Sequence, residues 1–151
     1  MRTFLVIIDE TEEARKALRY ASRRAEATHG TVQILALVEP QSFNAFGGVQ
    51  ATIEKEARDR AEAIATSAAG NLFSESGRMP AISVEVGDGN TVVRGYLETH
   101  PEVTMLVLSA AAEGAPGPLV SHFSQIVGAL SCPVVFLPGR LSFEEIDRLS
   151  E

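Results

Sequence analysis

The chain of 151 residues, 45% of them apolar, is long enough to build one hydrophobic core and too short for two ordinary domains. Thirteen basic against twenty acidic residues leave a formal charge of -7, which opposes both the phosphate backbone of nucleic acid and the anionic face of membranes, so neither is expected as a partner. Cys132 is the only cysteine, which rules out an intramolecular disulfide, and His29, His100 and His122 stand too far apart to suggest a zinc site.

TFLVII, residues 3–8, is the continuous apolar run of a strand buried on both faces of a parallel sheet. Its run from Phe4 to Ile8 is far too short to span a bilayer and meets Asp9 and Glu10 directly, which a signal peptide would not do, so a cytoplasmic protein is expected. Ala14, Ala17, Leu18, Ala21 and Ala25 then recur at helical spacing, with Arg15, Arg19 and Arg23 facing elsewhere and Gly30 as the stop. Glu12 and Glu13 suit the first turn of this helix, with Thr11 or Asp9 as its cap. TVQILALV (31–38) is a second strand, and a loop carrying Phe43 and Phe46 leads to a long helix with an apolar stripe of Ile53, Ala57, Ala61, Ile64, Ala68 and Leu72.

ISVEV (82–86) is a third strand, Val92, Val93, Tyr96 and Leu97 mark a short helix, and MLVLS (105–109) is a fourth strand. After the flexible segment SAAAEGAPGPLVS (109–121), Leu119, Phe123, Ile126, Val127 and Leu130 form a further helical stripe, and PVVFLP (133–138) is a fifth strand. Strands alternating with helices imply parallel crossovers, hence an α/β single domain with a doubly wound five-stranded parallel sheet and helices on both faces. In such sheets ligands bind beyond the carboxyl ends of the strands. That edge holds Ile8, Asp9, the loop after Val38, the turn Gly87-Asp88-Gly89 and the segment 109–121.

Several chemistries are missing. There is no GxxxxGK[ST], and Lys16 and Lys55 both fall inside helical patterns; no GxGxxG follows the first strand, and no GxSxG elbow is present. A receiver domain's lysine after the last strand is also lacking, since Pro138-Gly139-Arg140 stands there. Cys132, just before a buried strand, makes a poor nucleophile. No paired carboxylate and base, nucleophile with a partner, or metal set can be assembled from the spacings, so an enzyme is the weakest reading and neither catalytic nor metal residues are assigned. Asp9, at the end of the first strand, is placed either to cap the helix or to accept hydrogen bonds from a ligand's ring or ribose hydroxyls.

IIDETEEARKALRYA, QILALVEP, GDGNTVVRGYLE, MLVLSA and LVSHFSQIVGALSCPVVFLPG together resemble the universal stress protein family over residues 1–139. That resemblance implies an adenine nucleotide alpha hydrolase-like fold. Family members typically begin with a strand ending in Val-Asp-Gly-Ser; here Asp9 matches, while Glu10 and Thr11 replace Gly and Ser. The nucleotide-binding branch carries Gly-x2-Gly-x9-Gly-[Ser/Thr] before the last helix, where backbone amides and a helix N-terminus close around phosphates. Anchored on the fourth strand, this motif falls on Ser109, Ala112, Val120 and Ser121 with seven intervening residues instead of nine. Anchored on Gly114 and Gly117, it leaves only Pro118 and Leu119 before Val120. The cradle is rebuilt in either register. Its remaining assets are the two glycines, Pro118 at a helix start, and the amides of Leu119, Val120 and Ser121.

The resemblance implies a cytoplasmic, non-catalytic stress-response homodimer, paired through the strand 133–138, that acts through protein interactions with weak or absent ATP binding. The alternative is an ATP or AMP sensor, with ATP carrying Mg, held by Ile8, Asp9, Val38, Ser109, Gly114, Gly117, Val120 and Ser121. The tail 140–151 extends past the usual family end, and Phe143, Ile146 and Leu149 at helical spacing predict a short docked helix.

Overall fold

In the computed structural model, which describes residues 1–9, 11–39 and 47–151 with side chains from 51 onward in the last segment, TFLVII forms strand β1 (Thr3–Ile8), with every residue buried. Helix α1 (Glu13–Thr28), strand β2 (Thr31–Val38), helix α2 (Gly47–Ser76) and strand β3 (Ala81–Val86) follow. Helix α3 (Gly89–Thr99), strand β4 (Met105–Ser109), helix α4 (Pro118–Ile126), strand β5 (Val134–Leu137) and helix α5 (Phe143–Leu149) complete the chain. The five strands are all parallel in the order β3-β2-β1-β4-β5, so the chain winds outward in both directions from β1.

Alternation along β1 divides the core. Phe4, Val6 and Ile8 face α1 and α2, where Ala14, Ala17, Ala21, Ala65 and Ala69 let the helices approach closely. Leu5 and Ile7 face α3 and α4, packing with Val93, Leu97 and Phe123. The central position of β1 explains its unbroken apolar run, since both of its faces are covered by helices. The edge strand β3 is half-buried at best.

Four expectations need correction. The first helix is not capped by Thr11 or Asp9: its N-cap is Glu12, without a side-chain cap bond, and Asp9 instead closes a local turn. The helix stops at His29, which takes the left-handed conformation (φ 56°), and Gly30 only follows it, donating its N–H to Ala25. The buried stripe of α2 is Ala65, Ala69 and Leu72, whereas Ile64 is 39% exposed. At thirty residues α2 is about 45 Å long, against about 26 Å for the eight-residue β2, so it outruns the strand it packs on. Val127 does not continue the α4 stripe; it opens a tight 3-10 turn (Val127–Ala129) and is 42% exposed.

The tail folds as α5 along α1, started by a capping box in which Ser142 accepts from the Glu145 N–H and Glu145 accepts from the Ser142 N–H. Of its three predicted anchors only Ile146 is buried, because Phe143 and Leu149 stay largely exposed. Electrostatics supplies the rest: Arg19 donates twice to Asp147, at 2.6 and 2.8 Å, and Arg23 adds a bond at 3.1 Å. Arg24 reaches the carbonyls of Ser150 and Glu151, and Lys16 donates to the Gly139 carbonyl. Hydrogen bonds from Arg19 and then Arg23 hold the Asp147 carboxyl well below the usual carboxylate range. A depressed native pKa contributes stability above the unfolded value of about 4 and loses it as pH falls toward the native value. Asp147→Asn is therefore expected to cost about 1 kcal/mol at pH 7, discounted for the partial exposure of the pair, and about 3 °C in Tm. Thermal melts should show that gap closing as the pH drops below about 4; equal Tm values at pH 7 would contradict the strap.

Candidate functional site at the carboxyl edge

The ends of β1 and β2 open into a cavity of about 340 Å³. Ile8, Asp9 and Thr11 form its floor after β1, Leu37, Val38 and Glu39 its side after β2, and Pro118 brings in the start of α4. Helix α2 supplies the opposite wall with Ala57, Arg60, Ala61 and Ile64. This size lies at the lower end of the range for small-molecule sites. Ile8, Asp9, Thr11 and Ile64 also border a wider groove of about 870 Å³ between α1 and α2, which runs on to Phe143.

Asp9 accepts from both the N–H and the hydroxyl of Thr11, and both bonds engage Oδ1. Among the described residues its Oδ2 keeps its acceptor capacity, so one carboxylate oxygen can receive a ligand hydroxyl while the turn stays closed. Val38 lines the cavity too, but its carbonyl already accepts from the Gly87 N–H at 3.0 Å, leaving one lone pair for a base. Asp88 is committed to α3, where its carboxylate accepts from the Thr91 N–H and hydroxyl. In the Gly87-Asp88-Gly89 turn, Gly89 lies against Leu37, Leu119 and Glu39.

The segment after β4 is closed upon itself. The Ala110 N–H donates to the Leu137 carbonyl at 2.9 Å and the Ala111 N–H to the Pro116 carbonyl at 3.0 Å. Both amides that would face a phosphate at the strand end are thus spent within the protein. Gly139, at the end of β5, backs this bend so closely that a Cβ would lie 2.7 Å from the Ala112 nitrogen and nearer still to the Ala110 oxygen. Gly114 and Gly117 have positive φ, 75° and 108°, which explains glycine at both, and Gly117 is the N-cap before Pro118. Ser121 does not offer a free amide as expected, because its N–H donates to the Gly117 carbonyl at 3.0 Å. The Ser109 hydroxyl is buried and, among the described residues, without a hydrogen-bond partner.

The structure therefore gathers Ile8, Asp9 and Val38 around one cavity. Among the lining residues the segment 109–121 contributes Pro118 rather than Ser109, Gly114, Gly117, Val120 or Ser121. Sequence reasoning placed Ala57, Ala61 and Ile64 in the apolar stripe of the long helix and missed them as a cavity wall. Phe43 and Phe46, open to reading as a lid on the site or as core plugs against the following helix, lie outside the described residues. Cys132 is buried in the α3–α4 layer and burial pushes its thiol up, in keeping with a structural role. Among the described residues no group of three or more His, Cys, Asp or Glu side chains is arranged to hold a metal, and no helix is long and apolar enough to cross a membrane. The cavity offers hydrogen-bond acceptors, one guanidinium and apolar walls, an arrangement suited to holding a small polar molecule.

Solved structures share this fold across nearly the whole chain. The universal stress protein UspA from Lactobacillus plantarum superposes with a TM-score of 0.73 at 19% identity, covering 90% of this chain and 97% of that one. A universal stress family protein from Burkholderia pseudomallei gives 0.68 at 16% identity, covering 90% and 95%. One from Arabidopsis thaliana, solved with AMP bound, gives 0.56 at 14%, covering 91% of each chain. No curated protein matches the sequence significantly. The model of the universal stress protein family matches residues 1–138, and the chain belongs to that family.

Proposed function

We propose that this protein binds an adenine nucleotide at the carboxyl edge of its sheet, holds it without chemistry, and works in the cytoplasm as a homodimer in a stress response. The observation that carries this reading is the cavity in which Ile8, Asp9 and Val38 meet at the ends of β1 and β2. The apolar side chains of Ile8, Leu37 and Val38 suit a base, and the Asp9 carboxylate suits ribose hydroxyls. The family relative with AMP bound supports adenine nucleotides as the class. Residues 1–139 act as the binding unit, with 140–151 as a strap. Magnesium would arrive with a triphosphate. In a titration with a fluorescent AMP analogue, saturable binding displaced by AMP is the expected result, and no saturation at millimolar concentration would refute it.

A second reading, a nucleotide-free protein acting through its dimer and its surfaces, is favoured by the spent amides of Ala110 and Ala111. Both readings share the dimer. β5 ends the sheet with Val134, Val135 and Phe136 half-buried. At the other edge, Arg58 of α2 donates to the Val84 carbonyl at 3.3 Å and so occupies an outward-facing group of β3. Pairing of β5 with the same strand of a second copy would continue the sheet and cover that apolar edge. Light scattering at micromolar concentration should give twice the chain mass of 16.1 kDa; a monomer would overturn this part.

A further inference from the structure

We propose that the outer side of α1 is a docking surface for a short acidic helix of a partner protein, and that the chain's own tail, α5, occupies it in the partner's absence. The inference is independent of the nucleotide reading. Its ground is the distribution of charge. Arg15, Lys16, Arg19, Arg23 and Arg24 all stand on α1, against the acidic Glu13 and Glu26, so a chain of charge -7 keeps five of its thirteen basic residues on one helix. The segment 140–151 docked along that helix carries four acidic residues, Glu144, Glu145, Asp147 and Glu151, against two basic ones.

The docked tail shows what the surface recognises. Ile146 is the fully buried apolar side chain of α5 and serves as its anchor. Next to it, Asp147 accepts two bonds from Arg19 and a third from Arg23. Lys16 donates to the Gly139 carbonyl before the helix, and Arg24 donates to the carbonyls of Ser150 and Glu151 at its far end, where a helix leaves its last carbonyls without internal partners. Main-chain carbonyls are present in any peptide, so the adjacent pair Ile146 and Asp147 carries the sequence requirement. The partner that fits is a helix of about two turns with an aliphatic residue followed by a carboxylate near its C-terminal end.

The tail is held in a way that permits exchange. Phe143 and Leu149 stay exposed, and the side chains of Arg19, Arg23 and Asp147 remain partly open to water, where salt screens them and each pair contributes little. A nucleic acid would meet the same cations, but its phosphates offer nothing apolar to the Ile146 position and the net charge of the chain opposes it.

The test is fluorescence anisotropy with a labelled peptide of residues 140–151 as the probe, added to the full-length wild-type protein and to full-length Asp147→Asn, whose own tail has lost its charged contact. Asp147→Asn is expected to bind the peptide about fivefold more tightly than the wild type, because a competing tail lowers the apparent affinity in proportion to its occupancy. That affinity should fall as salt rises, and adding Arg19→Gln should cancel the gain. Equal affinity in the two proteins, or binding to neither, would show that the tail is not an exchangeable occupant and would overturn the proposal. A gain that survives Arg19→Gln would place the peptide elsewhere and overturn it too. A single-stranded oligonucleotide that binds Asp147→Asn more tightly than the peptide does would assign the surface to nucleic acid instead.

Discussion

Gly139→Val is expected to cost about 3 kcal/mol and to lower Tm by about 8 °C. The residue lies at the end of β5 against the bend after β4, where even a Cβ would lie 2.7 Å from the Ala112 nitrogen and 2.9 Å from the Ala111 carbon. These are backbone atoms, so no rotamer change can give way, and the bend itself must move. Moving it would strain the Ala110 bond to Leu137, and the Gly139 carbonyl would shift away from Lys16. One substitution would thus loosen the loop, the end of β5 and the strap together. Circular-dichroism melts of the two proteins check the value, and an unchanged Tm would show that the bend is softer than its contacts imply.

Filling the cavity should have the largest effect on binding. Ala57→Phe places a ring on the α2 wall, facing the floor made by Ile8 and Asp9. Ala57 is only partly buried and lies N-terminal to the Ala65, Ala69 and Leu72 stripe that packs on the sheet. Stability should therefore hold, with Tm within about 2 °C, while AMP affinity falls by about a hundredfold, roughly 2.7 kcal/mol. Titration of both proteins with AMP decides it. Wild-type affinity in the variant would mean that the ligand lies elsewhere.

The fold was legible because its strands are buried runs and its helices carry alanine stripes: Phe4 to Ile8 is apolar on both faces, as only a central parallel strand is. Helix α2 was read less well. Periodicity assigned Ile64 to the core, whereas the buried stripe runs one residue on, through Ala65, Ala69 and Leu72, a phase that the alanine-rich sequence leaves open. The strap was half legible: the spacing of Phe143, Ile146 and Leu149 indicated a helix, but its docking depends on Arg19, Arg23 and Asp147, pairs more than a hundred residues apart.

The site divides along the same line. Asp9 and Val38 could be placed from strand ends alone, and the loss of the glycine motif was plain in Ser109, Ala112 and Val120. What replaced the motif was not. That Gly139 backs the bend so closely and that α2 walls the cavity are both consequences of tertiary contact. No local pattern encodes them.

Calorimetric titration of the nucleotide-stripped protein with AMP, and with ATP in the presence of magnesium, tests the central claim most directly. Saturable binding of one nucleotide per chain, abolished by Asp9→Ala and by Ala57→Phe, is the predicted result. No heat of binding up to millimolar nucleotide would contradict it, and would leave the dimer faces as the seat of function.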